Sequence, residues 1–446
     1  MGTTGVQSTG FSMLASRSLF FMLRTGTSLY RRRLRYASRQ YPPNGVKVMQ
    51  AWSPQHYRYE AERHGVQDET IDNAIARIEL IVANNANVTP VLTLRHLSAM
   101  SGVEYGFLRS VISRSMMRKK YRVFSLRKNV PGRTRYRLIC VPNEELKTVQ
   151  DWIVRNILRH TRSHPASYAY HPKSRPEFAA KAHCGCDYLL KVDIQDFFNR
   201  VTEGKITRIF RDLGFSDLVS FELARLTTVT AQGMELPEGL SERRWPAIPA
   251  YQSRYEGFLP QGAPTSPMLS NLAMLALDEK LQELASSEGI SYTRYADDLT
   301  FSARKPHDFE SIKRFKRKVL TEHNAAGFRP NLRKTHIRGP GTRRIVLGML
   351  VDGQRPRLTK EFKDDLRQHL HYLTSDDHGP ATHAQANKAS IGGMFHIVRG
   401  KIGWATRVEP EYGRKCLIQF RTIKWPPIER AKSGTTSLDF DMIDEP

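Results

Sequence analysis

Three carboxylates stand where they could do chemistry. Asp193 closes the short apolar run Leu189-Leu190-Lys191-Val192, and Asp297-Asp298 follows far downstream. An Asp-Asp pair at a turn is unremarkable alone, because surface turns favour Asp. Here Tyr292 and Tyr295 precede the pair and Leu299 and Phe301 follow it, which predicts a buried hairpin with the acids at its tip. Adjacent carboxylates in such a place repel each other unless a cation lies between them. Magnesium takes hard oxygen ligands and keeps several waters, so two or three carboxylates suffice. Held stiffly on adjacent strands, these acids suit two-metal phosphoryl transfer, with ions roughly 4 Å apart. Two Mg²⁺ are expected, with Mn²⁺ as a substitute.

The surrounding chain supplies elements to position them. Helical periodicity runs over 60–83, through Ile71, Ile75, Ile78 and Ile81, and again over 90–116. Tyr121–Leu126 and Tyr136–Val141 read as strands of a basic hairpin turning at Pro131-Gly132. Asn143 is an N-cap for a helix reaching Arg159. Leu189–Ile194 is a strand ending in acid, 292–302 a hairpin, and Arg344–Val351 a further strand. Helices dominate after residue 358. The expected segments are a basic N-terminal arm over 1–45, a helical region over 46–118, a catalytic domain over 119–358, a helical domain over 359–430, and a polar tail over 431–446.

Lys+Arg 69 against Asp+Glu 44 gives a net charge of +25, so polyanions are the natural partners. The first 59 residues hold no Asp or Glu and seven arginines between Arg17 and Arg39. That composition fits an arm on nucleic acid, an over-extended start, or an organellar transit peptide. Cys184-Gly185-Cys186 has no second Cys/His pair at zinc-finger spacing, so free thiols in a reducing cytoplasm are expected. No stretch reaches the roughly 18 apolar residues of a membrane span, and no membrane partner is expected.

Three ordered boxes carry a resemblance. Tyr295-Ala296-Asp297-Asp298 resembles the YxDD box of reverse transcriptases. Val192-Asp193-Ile194-Gln195-Asp196-Phe197-Phe198 resembles the first catalytic motif, and Leu259-Pro260-Gln261-Gly262-Ala263-Pro264-Thr265-Ser266-Pro267 matches the box between them. The resemblance implies an α+β right-hand polymerase fold, with fingers, a palm of antiparallel sheet plus helices, and a helical thumb. It implies metal ligation by Asp193, Asp297 and Asp298, with Ile194 in the same metal site. Asp196 is read as structural. Phe198 would be the steric gate against a ribonucleotide 2′-hydroxyl. Gln261 and Gly262 would line the nucleotide pocket, and Arg135 and Arg137 would clamp the triphosphate. Lys334, in a Gly327-Phe328…Asn331…Lys334-Thr335 palm motif, would serve the leaving pyrophosphate. Tyr295, Leu347 and Gly348 at the primer-grip hairpin, and Arg399 and Lys401 on a thumb helix, would meet template and primer.

The match is nearest to bacterial retron reverse transcriptases. The compact layout, Asn143–Ile153 after the hairpin, and Arg294–Ser302 carry that choice. Two elements depart: Ala179-Ala180-Lys181-Ala182-His183 has Ala for the Asn of NAxxH, and Val346-Leu347-Gly348 stands for VTG. The 229–256 stretch is longer than in compact relatives. The resemblance implies a structured non-coding RNA as template and primer, deoxynucleoside triphosphates, a branched RNA–DNA product, and anti-phage defence with an effector protein. The rival readings are a related defence enzyme using protein-primed or untemplated synthesis, and a non-catalytic RNA-binding scaffold. A group II intron origin fits less well.

Overall fold

Local chemistry starts and stops the elements. The computed structural model of the chain describes residues 53–114, 120–128, 135–171, 174–230 and 257–426. The expected arm over 1–45, the tail from 431 and nearly all of the 229–256 stretch lie outside these residues.

The first unit comprises residues up to Ser174, Lys191–Leu299 and Lys313–His336. Its N-terminal part is more finely divided than the periodicity predicts. The 60–83 stretch belongs to two helices, Pro54–Arg63 and Asp68–Asn84, parted at His64-Gly65. The 90–116 stretch also holds two, Leu94–Ser101 and Tyr105–Ile112. Gly102 separates them in the left-handed conformation with φ +74°, donating its N–H to Ser98. The apolar period continues across both breaks, which is why it concealed them.

The basic hairpin is present as β1 (Tyr121–Lys128) and β2 (Arg135–Pro142), antiparallel from Tyr121↔Pro142 to Lys128↔Arg135. Asn143 caps the following helix, Glu144–Asn156, by accepting a 3.0 Å bond from the Leu146 N–H. The helix buries Leu146, Val149 and Ile153. Helices Glu203–Asp212 and Asp217–Thr227 pack together. Buried Glu203 receives Arg225 Nε at 3.0 Å and pairs with Arg114, so its charge is neutralised twice.

A four-stranded sheet has the order β4-β5-β3-β6, with β3 Tyr188–Asp193, β4 Ser291–Tyr295, β5 Asp298–Ala303 and β6 His336–Arg338. The acid-tipped hairpin is β4–β5, and Tyr292, Thr293, Leu299 and Phe301 are buried as expected.

The second unit comprises Arg175–Leu190, Thr300–Ile312 and the chain from Ile337. The expected single strand over 344–351 is instead a tight hairpin, β7 (Ile345–Val346) and β8 (Met349–Leu350), completed by β9 (Arg357–Leu358). Leu347 at φ +48° and Gly348 at φ +81° make the two-residue turn that reverses it. Cys184 and Cys186 are buried free thiols packed with Val346, Met349 and Val351. Four helices follow: Lys360–Thr374, Gly379–Ala386, Ile391–Val408 and Pro410–Arg421. Leu366, Leu370, Met394, Val398 and Ile402 form their core. Among the described residues no helix is long and apolar enough to cross a membrane.

Candidate active site

The three acids come together through backbone before side chains. β3 ends at Asp193, and the next N–H, of Ile194, donates to the Asp297 carbonyl at 2.9 Å. That bond ties the strand end to the hairpin tip. On the other side the Asn331 N–H donates to the Asp193 carbonyl at 2.7 Å, and the Gln195 N–H to the Arg329 carbonyl at 2.8 Å. Ile194 therefore sits in a bridge with Pro330.

Asp193 is buried, and each carboxylate oxygen has a partner. Asn331 Nδ2 donates to Oδ1 at 2.8 Å, and Lys334 Nζ to Oδ2 at 2.7 Å. Lys191 Nζ lies 3.9 Å from Asp298 Oδ2. Burial raises the Asp297 carboxyl above the ordinary aspartate range, and the charges of Asp193 and then Asp298 add to the rise. Burial alone would lower the Lys334 ammonium, but the hydrogen bond and charge of Asp193, with Asp297 and Asp298 behind, raise it instead.

A buried arginine holds the turn that presents Asp297. Ala296 has φ +57°, unusual for a residue with a Cβ. Its carbonyl accepts Arg294 Nη1 at 3.1 Å. Arg294 is fully buried and forks onto Asp278, with Nε–Oδ1 2.8 Å and Nη2–Oδ2 2.6 Å. Tyr292 Oη donates to the same carboxylate at 2.7 Å. Arg294 Nη1 also donates to Asn271 Oδ1 at 3.1 Å, so one planar guanidinium meets carboxylate, amide and carbonyl.

The middle box reaches the basic hairpin. The Cys140 N–H of β2 donates to the Gln261 carbonyl at 2.7 Å. Gly262 has φ +111°, and a Cβ there would lie 3.1 Å from Ile139 Cγ2 and 3.2 Å from the Cys140 carbonyl. Only glycine meets both demands.

The groups gathered here are carboxylate oxygens, the Asn331 amide and the ammonium groups of Lys334 and Lys191, so the possible metal donors are hard oxygens. Among the described residues, no three Asp, Glu, His or Cys side chains enclose an ion by themselves. The donor set nevertheless fits divalent ions that share their remaining positions with water and phosphate. The upward shift of Asp297 comes first from burial and then from the Asp193 and Asp298 charges, and bound cations would relieve both.

The family model for reverse transcriptase (RNA-dependent DNA polymerase) matches residues 126–350, half of the chain. Retron Mx65 reverse transcriptase of Myxococcus xanthus is 31% identical over 311 residues, 69% of this chain and 68% of that protein. This chain belongs to the reverse transcriptase family, in its retron branch. Retron Ec86 reverse transcriptase of Escherichia coli is 29% identical over 306 residues, 68% of this chain and 86% of that protein. Retron Mx162 reverse transcriptase of Myxococcus xanthus is 29% identical over 300 residues, 65% and 58% respectively. The enzyme is an RNA-directed DNA polymerase with the right-hand polymerase fold, using an RNA template, deoxynucleoside triphosphates and divalent metal ions.

The remaining expected site residues are placed as follows. Phe198 is half-buried, its ring 5.5 Å from that of Phe197. Asp196 has φ +52° and starts the short helix Phe197–Arg200. Tyr295 is half-buried at the end of β4, and Arg137 is exposed on β2. Arg135 begins β2, and its side chain lies outside the described atoms. In the second unit, Leu347 and Gly348 form the β7–β8 turn, and Arg399 and Lys401 lie on helix Ile391–Val408. Lys401 pairs with Asp365, and its Nζ is 2.9 Å from His369 Nε2. His183 of the altered NAxxH element is buried, with Nδ1 2.7 Å from Ser302 Oγ. Sequence reasoning did not find the parts played by Arg294 and by the Asn331 side chain. Each lies within a sequence box, but its partners lie outside that box: Asp278 and Asn271 for Arg294, and Asp193 for Asn331.

Proposed function

We propose that this reverse transcriptase copies a structured partner RNA into DNA in the cytoplasm. Synthesis starts from an internal guanosine 2′-hydroxyl and leaves a branched RNA–DNA product that serves anti-phage defence with an effector protein. The observation that carries the catalytic part is the Ile194–Asp297 backbone bond, which holds Asp193 beside the Asp297-Asp298 tip.

In this reading Asp193, Asp297 and Asp298, with Ile194, would hold two Mg²⁺, or Mn²⁺ in their place. Bound there, the ions would activate the primer hydroxyl and neutralise the triphosphate. The hydroxyl loses its proton to solvent, its oxygen bonds to the α-phosphorus, and the bond to pyrophosphate breaks. Lys334, its ammonium held by Asp193, offers charge or a proton to the leaving pyrophosphate. Arg135 and Arg137 clamp the triphosphate, Gln261 and Gly262 line the nucleotide pocket, and Phe198 excludes ribonucleotides. Tyr295, Leu347, Gly348, Arg399 and Lys401 meet template and primer. Fingers and palm would span 119–358 and the thumb 359–430.

The test is the nucleic acid that co-purifies with the protein. A DNA joined to one RNA species by a 2′–5′ bond that debranching enzyme cleaves supports the proposal. A DNA attached to tyrosine or serine, or DNA without a cognate template, would replace it with the protein-primed or untemplated reading.

A further inference from the structure

One residue beside the site has a costly backbone conformation that no element requires. Tyr170 has φ +64°. For a bulky side chain this region is a genuine outlier, persisting only where the surroundings over-determine it. Those surroundings are visible. The Tyr168 N–H donates to the Arg294 carbonyl at 2.8 Å, and the Arg294 N–H to the Ala166 carbonyl at 2.7 Å. This segment thus runs in a parallel bridge beside β4 at Ser167↔Arg294. Buried Asn271 then donates Nδ2 to the Ala169 carbonyl at 2.7 Å. The chain is pinned on the residues before Tyr170, by the same Arg294 and Asn271 that hold the catalytic hairpin.

The effect is to set one ring against another. The Tyr170 ring centroid is 6.2 Å from that of Phe198, at a tilt of 54°. Phe198 also packs against buried Phe197, which in turn meets buried Phe328 at 6.1 Å. Phe198 thus contacts both a buried aromatic pair and a tyrosine that is 40% exposed. Through Phe198, five residues after Asp193, this ring contact reaches the segment that carries the first catalytic acid. A ring that excludes one hydroxyl group must keep its place within about 0.5 Å and its tilt within about 10–20°.

We infer that Tyr170 is a positioning residue for the nucleotide gate: its strained backbone holds its ring against Phe198, and discrimination against ribonucleotides depends on that contact. The inference rests on the proposed gate role of Phe198. Glycine takes a positive φ without strain, so Y170G removes the ring while easing the backbone.

The experiment measures kcat/KM for a deoxynucleoside triphosphate and the matching ribonucleoside triphosphate, on an RNA template annealed to a DNA primer. The proteins are wild type, Y170G, Y170F, F198A and the F198A/Y170G double variant. The expected loss of selectivity in Y170G is about two- to tenfold, the scale of one aromatic pair. Y170F keeps the wild-type ratio, because the ring does the holding. The double variant is no less selective than F198A, because both act through one ring. If F198A loses discrimination but Y170G keeps it, or if the two losses multiply, the inference about Tyr170 falls and the gate stands. If F198A discriminates as wild type does, the gate reading itself is wrong and the inference goes with it.

Discussion

Asp193 is held by more than metal ligation requires. Asn331 grips it twice, by main-chain N–H and by side-chain amide. Removing the amide in N331A frees one carboxylate oxygen to rotate. Residues that orient metal ligands typically cost about 10- to 100-fold in activity when lost, and N331A should lower kcat for nucleotide incorporation by that much. Single-turnover kinetics checks it, with circular dichroism confirming the fold. The raised Asp297 carboxyl makes a second prediction. Its folded pKa lies above its unfolded value, so the folded protein binds the proton more tightly. The associated stability is present below the ordinary aspartate pKa of about 3.9 and is lost as pH rises through the folded value. At neutral pH without metal the ionised group therefore opposes folding. D297N should raise the metal-free melting midpoint by about 1–3 °C near pH 7, with the gain shrinking as pH falls. Thermal melts across pH in a chelating buffer decide it; a midpoint equal to or below wild type at neutral pH contradicts the assignment.

The elements show what could and could not be read beforehand. The β4–β5 hairpin was legible because apolar and aromatic residues flank the acids on both sides, and the Asn143 cap because a short polar side chain precedes two glutamates. The breaks at His64-Gly65 and Gly102 were hidden by apolar periodicity that runs through them. By its residues alone the 344–351 stretch read as one strand, because Leu347 is a residue type that rarely turns; the resemblance to a primer-grip hairpin agrees with the turn at Leu347-Gly348. Arg294 belongs to the Arg294–Ser302 box, yet its work depends on Asp278 and Asn271, which lie outside that box. Cutting it short leaves Asp278 charged and buried. R294M should cost about 3–5 kcal/mol of stability, read by denaturant unfolding. At the Gln261-Gly262 loop a smaller change tests the coupling to the basic hairpin. G262A puts a Cβ against β2 at a φ that disfavours it. It should raise KM for nucleotide more than it lowers kcat, as steady-state kinetics would show.

For the whole molecule, the family was legible because three boxes keep their order and spacing around three acids. The identity of the RNA was not, since recognition of one fold among many lies in surfaces no short motif encodes. The net charge of +25 does predict how any RNA is held. Raising salt from about 50 to about 200 mM should weaken RNA binding by roughly 10³-fold or more if six or more phosphates are contacted, with or without catalysis. Filter binding across salt measures that slope. The central claim is that Asp193, Asp297 and Asp298 form one metal-dependent polymerisation site. It is tested most directly by the variant combining D297N and D298N, assayed with native RNA, deoxynucleoside triphosphates and Mg²⁺ or Mn²⁺. Incorporation should disappear with either ion while folding and salt-dependent RNA binding persist. A variant that still extends DNA at the wild-type rate would contradict the account.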